Sequence, residues 1–299
     1  MTLLKSKWKR VLVGAMVTAL TLGLMAGCGT TPEKKDVPTA TEKKDITIGY
    51  NNWAEDVAVS NLWKVLLEEK GYNVKMISLK VAPLFVGLNK GDLDFFMDAW
   101  LPITHKSYYD RYKDGLEDYG IWYTGEAKMG LVVPKYMENI NSIEDLNANK
   151  ALFDSKITGV DPGDGLMKAT GRAIKNYGLN FELIPSSEAA MLTALDKAYR
   201  DKKPIVVTGW SPHWMFVKYD LKYIADPKKD YGEIEDVHTM AHKGFSKTNP
   251  EVARMLKAFK FNDKQVAGLE SLITGGMEPE AAAKKWIADN RDLADGFIK

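Results

Sequence analysis

Two rhythms of apolar and polar positions alternate along the chain. Short apolar runs at 46–50, 73–79 and 94–99 read as strands. Between the first two, Val57, Leu62, Val65 and Leu66 recur at helical spacing up to Gly71, and 82–89 is a second helical segment. A glycine directly after a periodic stretch is a helix stop signal. The same order then returns. Strands at 157–160, 181–184 and 205–208 alternate with helices at 166–175 and 188–200, the latter with Ala189, Leu192, Leu195 and Tyr199 on one face. This alternation predicts an α/β chain whose sheets are mostly parallel and covered on both faces.

The recurrence extends to individual residues. FFMDAWLPITH (95–105) and IVVTGWSPHW (205–214) each run from apolar residues to Trp, one residue, and Pro. At an offset of 110 residues Gly49 matches Gly159, Trp100 matches Trp210 and Pro102 matches Pro212. A repeated unit with an indole at the same strand end predicts two similar lobes facing one ligand, a clamshell. KMGLVVP (128–134) is expected to cross between the lobes and VHTMAHKGF (237–245) to return. Lobe 1 is then 46–133 plus 238–299, completed by helices near 251–261 and 279–289, and lobe 2 is 134–237. Two crossing strands make a hinge.

The first 27 residues read as a signal segment rather than as fold, with Lys5, Lys7, Lys9 and Arg10 ahead of an apolar stretch at 11–24. That stretch is shorter than the roughly 20 apolar residues a spanning helix needs. Leu24-Met25-Ala26-Gly27-Cys28 resembles the lipobox of bacterial lipoproteins, which implies lipidation of Cys28. The plainer reading of Cys28 is a spare thiol. It is the only cysteine in the chain, so no disulfide framework or cysteine-based metal site is available. The polar run at 28–45 reads as a tether to a membrane. Cleavage before Cys28 removes four cations and takes the formal charge from +1 to −3. A mildly acidic body without a basic block excludes a nucleic-acid footprint. The 254 residues from Ile46 onward are enough for two lobes.

Three of the eight tryptophans end strands: Trp53 after the first, Trp100 and Trp210 after the third of each unit. Ligands of open α/β sheets sit beyond the carboxyl ends of the strands, so these three are expected to face the cleft. Trp63, Trp122 and Trp286 are expected in the core. Three inward indole faces suit a cation that donates no hydrogen bond, such as a quaternary ammonium. Each desolvated cation–π contact gives about 2 kcal/mol. Asp98, two residues before Trp100, is the nearest acid by sequence. Gly159-Val160-Asp161-Pro162-Gly163 is a tight turn into a helix, either an ordinary turn or a set of backbone N–H groups offered to an anion. His238 and His242 are four apart but in a strand pattern, which argues against zinc. His213 lies inside the second Trp motif and is expected near the site. The cluster Lys197, Arg200, Lys202 and Lys203 reads as a solvated helix end. The hydrolase, zinc-protease, phosphate-loop and dinucleotide signatures are absent, and no catalytic group, cofactor or metal is expected.

TGWSPHWMF, DAWLPITHKSYY, KMGLVVPKYM, ITGVDPGDGLM and HTMAHKGFSK together resemble the glycine betaine-binding lipoproteins of ABC compatible-solute importers. The similarity runs from Ile46 to about Asp289. One family member carries the two halves in the opposite order, so residues are carried over motif by motif. The resemblance implies a two-lobed α/β clamshell of the periplasmic-binding-protein type with the ligand between the lobes, in a cage of Trp53, Trp100 and Trp210. It implies that the ligand carboxylate is held by backbone N–H groups at Gly159 and Val160 and by His105. It also implies a lipid-anchored receptor on the outer face of the cytoplasmic membrane. Such a receptor passes glycine betaine, and proline betaine second, to an ABC permease and its ATPase. Carnitine or choline receptors are related alternatives. An enzyme or a sensor on the same bilobal scaffold is the reading from another class.

Overall fold

The structure is a computed structural model that describes residues 44–299. The expected signal segment, Cys28 and nearly all of the tether lie outside the described residues. The first sheet holds β1 (Asp45–Tyr50), β2 (Asn73–Ser78), β3 (Phe95–Leu101), β4 (Leu116–Ile121) and β10 (Asp236–His242), in the order β2-β1-β3-β10-β4. The second holds β5 (Lys128–Pro134), β6 (Lys156–Thr158), β7 (Glu182–Ile184), β8 (Val207–Ser211) and β9 (Leu221–Tyr223), in the order β7-β6-β8-β5-β9. The two orders match position by position, which is the 110-residue repeat seen as topology.

Each sheet has one antiparallel strand: β10 runs against β3 and β4, and β5 against β8 and β9. The reason is how the chain arrives. Asp236 opens β10 opposite Leu101, the last residue of β3, and Lys128 opens β5 opposite Ser211, the last residue of β8. A strand that enters from the end where its neighbour stops must run the other way. The remaining strands of each sheet share one direction, so the expected mostly parallel α/β architecture is the one observed.

The expected lobe boundary at Val133 and Pro134 needs correction. All of β5 pairs within the second sheet, because KMGLVVP is buried between β8 and β9 rather than spanning a gap. The crossing segments lie just before β5 and β10. An antiparallel bridge between Ala127 and Glu235 ties them together, with the Glu235 N–H donating to the Ala127 carbonyl at 2.7 Å.

Helices α1 (Ala54–Glu69), α2 (Val81–Lys90) and the short α3 (Lys106–Tyr112) follow strands of the first sheet; α4 (Gly165–Asn176), α5 (Glu188–Arg200) and α6 (Met215–Lys218) follow strands of the second. After β10 come α7 (Phe245–Thr248), α8 (Pro250–Ala258), α9 (Asp263–Thr274), α10 (Pro279–Asp289) and α11 (Arg291–Phe297). The C-terminal helices return to the first half, where α1 packs on α9 and α10. Helix α8 stops earlier than expected because Phe259 turns extended and Phe261 bridges to Tyr123. Trp63, Trp122 and Trp286 are core residues as expected, packed on Phe259 and Phe261. Each such side chain contributes roughly 1.5–3 kcal/mol or more of burial. The repeated glycines have a packing role: a Cβ on Gly49 would meet Leu93 and Leu84 within 2.7 Å, and one on Gly159 would meet the Met167 sulfur at 2.3 Å.

Candidate functional site

Trp100 lies in β3 and Trp210 in β8, so the two sheets deliver one indole each, both nearly fully buried. Trp53 caps the start of α1 and completes the set, with its ring centroid 6.5 Å from that of Trp210. All three line one pocket, together with Glu55, Thr104, Met129, Asp164 and Leu166. Both Trp-x-Pro motifs end in a cis X–Pro bond. The strand-end rule therefore brings the three predicted tryptophans together.

Carboxylates hold the indoles. Trp100 Nε1 donates to Asp98 Oδ1 at 2.7 Å, and Trp210 Nε1 donates to Glu55 Oε2 at 2.9 Å. The second bond joins the two halves of the molecule, since Glu55 is on α1 and Trp210 in β8. Both acids are fully buried, and burial pushes both well above the usual carboxylate range. Neighbouring acids add to the push, Asp98, Glu270 and Glu188 on Glu55, and Asp56 and Asp164 on Asp98. Asp164 caps α4, accepting from the Leu166 N–H at 3.0 Å, and burial raises it to about 7. Asp56 accepts from the Asn51 N–H at 2.8 Å and the Ser60 hydroxyl at 2.9 Å, and burial raises it also to about 7. The acids behind the rings are thus pushed toward their neutral forms and serve to hold the indoles, and the buried indole faces favour a cation through cation–π attraction.

His105 stands next to the cage rather than in its lining. Its ring stacks on Trp53 at 5.9 Å and 16°. Nδ1 accepts from the Trp100 backbone N–H at 3.0 Å, and burial, then Lys168, lowers its pKa to about 3. The ring is therefore neutral with its proton on Nε2, and that buried Nε2–H has no partner. His213 packs edge-on against Trp210 at 4.6 Å and 88°, with Nε2 3.2 Å from Glu188.

The backbone donors expected at Gly159 and Val160 are not presented to the pocket as a pair. The Gly159 N–H is taken by the Ile184 carbonyl at 2.9 Å, because β6 continues its pairing with β7 through this residue. The Val160 N–H meets only the thioether of Met167, at 3.3 Å. Asp161 instead pairs with Lys80 at 3.0 Å from the first half of the molecule. His238 and His242 go to different acids, Asp118 and Asp94, so their spacing makes no shared site. Glu55, Asp164, Thr104 and Met129 are lining residues that sequence reasoning missed. The signal for Glu55 was present: an acid lies two residues from Trp53, as Asp98 does from Trp100.

Residues 44–289 match the family described as the substrate binding domain of ABC-type glycine betaine transport systems. The chain belongs to that family. It is 48% identical over 139 residues to a glycine betaine/carnitine transport binding protein of Listeria monocytogenes, an alignment that spans 46% of each chain, about half the length of that relative. Lactococcal OpuAC, solved closed with glycine betaine, is 40% identical with a TM-score of 0.79 over 85% of this chain and 99% of its own. An ABC-transporter choline binding protein solved with choline is 25% identical, with a TM-score of 0.77 over 85% and 91%. Family members are substrate-binding proteins of importers, and this chain shares their two-sheet α/β clamshell. Among the described residues no helix is long and apolar enough to cross a membrane.

Proposed function

We propose that this protein captures glycine betaine, and proline betaine second, between its two halves and delivers it to an ABC permease driven by an ATPase. The observation that supports this most is the cage of Trp53, Trp100 and Trp210, with two indoles oriented by buried carboxylates. Three cation–π contacts supply on the order of 6 kcal/mol gross, set against the ~8 kcal/mol of a micromolar complex. The ligand carboxylate falls to the free Nε2–H of His105 and to the Val160 N–H, whose present thioether contact is weak and easily exchanged. In this reading Gly159 serves by leaving room for Met167 rather than by donating. The site, in this reading, binds and releases its ligand unchanged. Cys28 carries the lipid after removal of 1–27, which holds the receptor on the outer face of the cytoplasmic membrane.

The acidic lining, Glu55 and Asp164, favours one second reading, a quaternary amine without a carboxylate such as choline. Calorimetry of residues 44–299 against glycine betaine, proline betaine, carnitine and choline decides between them. Tightest binding of glycine betaine supports the proposal. Tightest binding of choline replaces it, and binding of none removes the cage reading.

A further inference from the structure

Trp100 and His105 are the two ends of a short loop, closed by the His105 N–H donating to the Trp100 carbonyl at 2.9 Å. Thr104, in that loop, lines the cage beside Met129. Glu235, in the segment that crosses into β10, is only 2% exposed and holds the tip of the loop. The N–H groups of Ile103 and Thr104 donate to its Oε2 at 2.9 and 2.8 Å, and the Thr104 hydroxyl donates to its Oε1. The backbone of the same residue is bridged to Ala127 in the other crossing segment. A buried carboxylate is costly unless several donors converge on it, and here three do. Thr104 also meets the second half of the molecule. Its hydroxyl oxygen lies 3.5 Å from the Met129 sulfur in β5. A Cβ on Gly165, the first residue of α4, would come within 2.5 Å of the Thr104 methyl. Ile103 is fitted as closely, since a Cβ on Gly232 would meet its Cδ1 at 2.4 Å.

We infer that Glu235 is a positioning residue for ligand capture, which fixes the loop between Trp100 and His105 to the crossing segments so that hinge rotation and this wall of the cage move together. The inference rests on the reading of the cage as the ligand site. Glu235 acts through Thr104 and does not itself line the cage. Its bonds turn the Thr104 methyl toward Gly165, and α4 reaches the loop only because Gly165 has no side chain. Hinge closure brings such surfaces together around a ligand. A loop tip released from Glu235 drifts, and the closed state loses its fit. Encounter with the open cleft is little affected, so the loss falls on the dissociation rate, where most affinity changes lie.

The test is calorimetry and stopped-flow tryptophan fluorescence with glycine betaine, on the unaltered protein, Glu235→Ala and Glu235→Gln, with folding checked by thermal melting. Glu235→Ala should weaken binding by about tenfold or more, carried by faster dissociation. Glu235→Gln should stay within about threefold, because its carbonyl accepts both N–H groups and its amide donates to the Thr104 hydroxyl. Gly165→Ala probes the same contact without altering Glu235. It should also weaken binding by about tenfold, and adding Thr104→Ser, which removes the methyl, should restore most of that loss. Unchanged affinity in Glu235→Ala, or a loss in Glu235→Gln equal to that in Glu235→Ala, overturns the role of Glu235 and leaves the cage standing. If Glu235→Ala does not fold, the Gly165 variants decide: unchanged affinity in Gly165→Ala, or no recovery with Thr104→Ser, overturns the coupling. Failure of the unaltered protein to bind glycine betaine removes the cage reading, and this inference with it.

Discussion

Trp210 donates its indole N–H across the cleft to Glu55 at 2.9 Å, so an aromatic wall from one sheet is oriented by an acid from the other half. The bond exists only when the two halves are together, and it ties ring orientation to closure. It also polarises the indole, since a donor held by an acid leaves its ring richer in electrons. Glu55→Gln keeps an acceptor for Nε1, while Glu55→Ala leaves a buried donor unpaired at a cost of about 1–3 kcal/mol. We expect glycine betaine affinity to fall much further in Glu55→Ala than in Glu55→Gln, measured by calorimetry. Equal losses would mean that charge alone matters and that the bond does not orient the ring.

Trp100→Ala or Trp210→Ala should each weaken glycine betaine binding by roughly 2 kcal/mol or more, about thirtyfold. Trp→Phe should retain part of it, because the face is kept while the bonds to Asp98 or Glu55 are lost. Titrations followed by calorimetry check this. Unchanged affinity in all three single Ala variants at Trp53, Trp100 and Trp210 removes the cage.

The organisation of the chain was legible because each half had to rebuild the same sheet. Spacing of apolar residues gave the strand and helix order, and the Trp-x-Pro recurrence placed Trp100 and Trp210 at matching strand ends. What was not legible depended on contacts between distant segments. Glu55 reaches Trp210 over 155 residues, and no local pattern announces which acid meets which indole. The Gly159 N–H looked free because pairing of β6 with β7 beyond Thr158 cannot be read from a turn sequence. The crossing strand was misplaced because an apolar strand beside a hinge has the same composition as one within it. Helix α9 did leave a local trace, the reciprocal capping of Asn262 and Gln265.

His105 is expected to remain neutral with its proton on Nε2 at all pH values near neutrality, since its pKa is lowered to about 3 and Nδ1 is engaged by Trp100. Nitrogen NMR of the ring should show no titration between pH about 5 and 8. His105→Ala should weaken glycine betaine more than a carboxylate-free quaternary ammonium. Proportional loss of both would assign the residue to support of Trp53, on which it stacks.

Asp164 is raised to about 7 from 3.8, chiefly by burial. The folded state then binds its proton more tightly than the unfolded chain, so its contribution is fully present below pH 3.8 and is lost as pH rises through about 7. Asp164→Asn can still cap α4 but cannot ionise. Its stability relative to the unaltered protein should therefore rise between pH about 5 and 8, by on the order of 1 kcal/mol or more. Denaturant melts at the two pH values measure this. A constant difference would mean that Asp164 is ionised throughout.

An osmoprotectant receptor works in concentrated media, and at 1 M ionic strength the Debye length is only about 3 Å. A receptor that drew its ligand by exposed charge would fail under those conditions. In this protein the exposed charges Lys80 and Asp161 at the cleft pair with one another, as do Lys106 and Asp110 near Thr104, whereas Trp53, Trp100, Trp210 and the acids behind them are largely or fully buried. Screening acts on the first set and little on the second. An exposed pair contributes about 0–1 kcal/mol even at low salt, so its loss barely affects closure. The dissociation constant for glycine betaine should change by less than about threefold, roughly 0.7 kcal/mol, between roughly 0.05 and 1 M NaCl. Lys80→Met should leave that small slope nearly flat. A steady loss of tenfold or more over the same range in the unaltered protein would place the capture energy on exposed charge, and the buried cage would then not be the source of affinity.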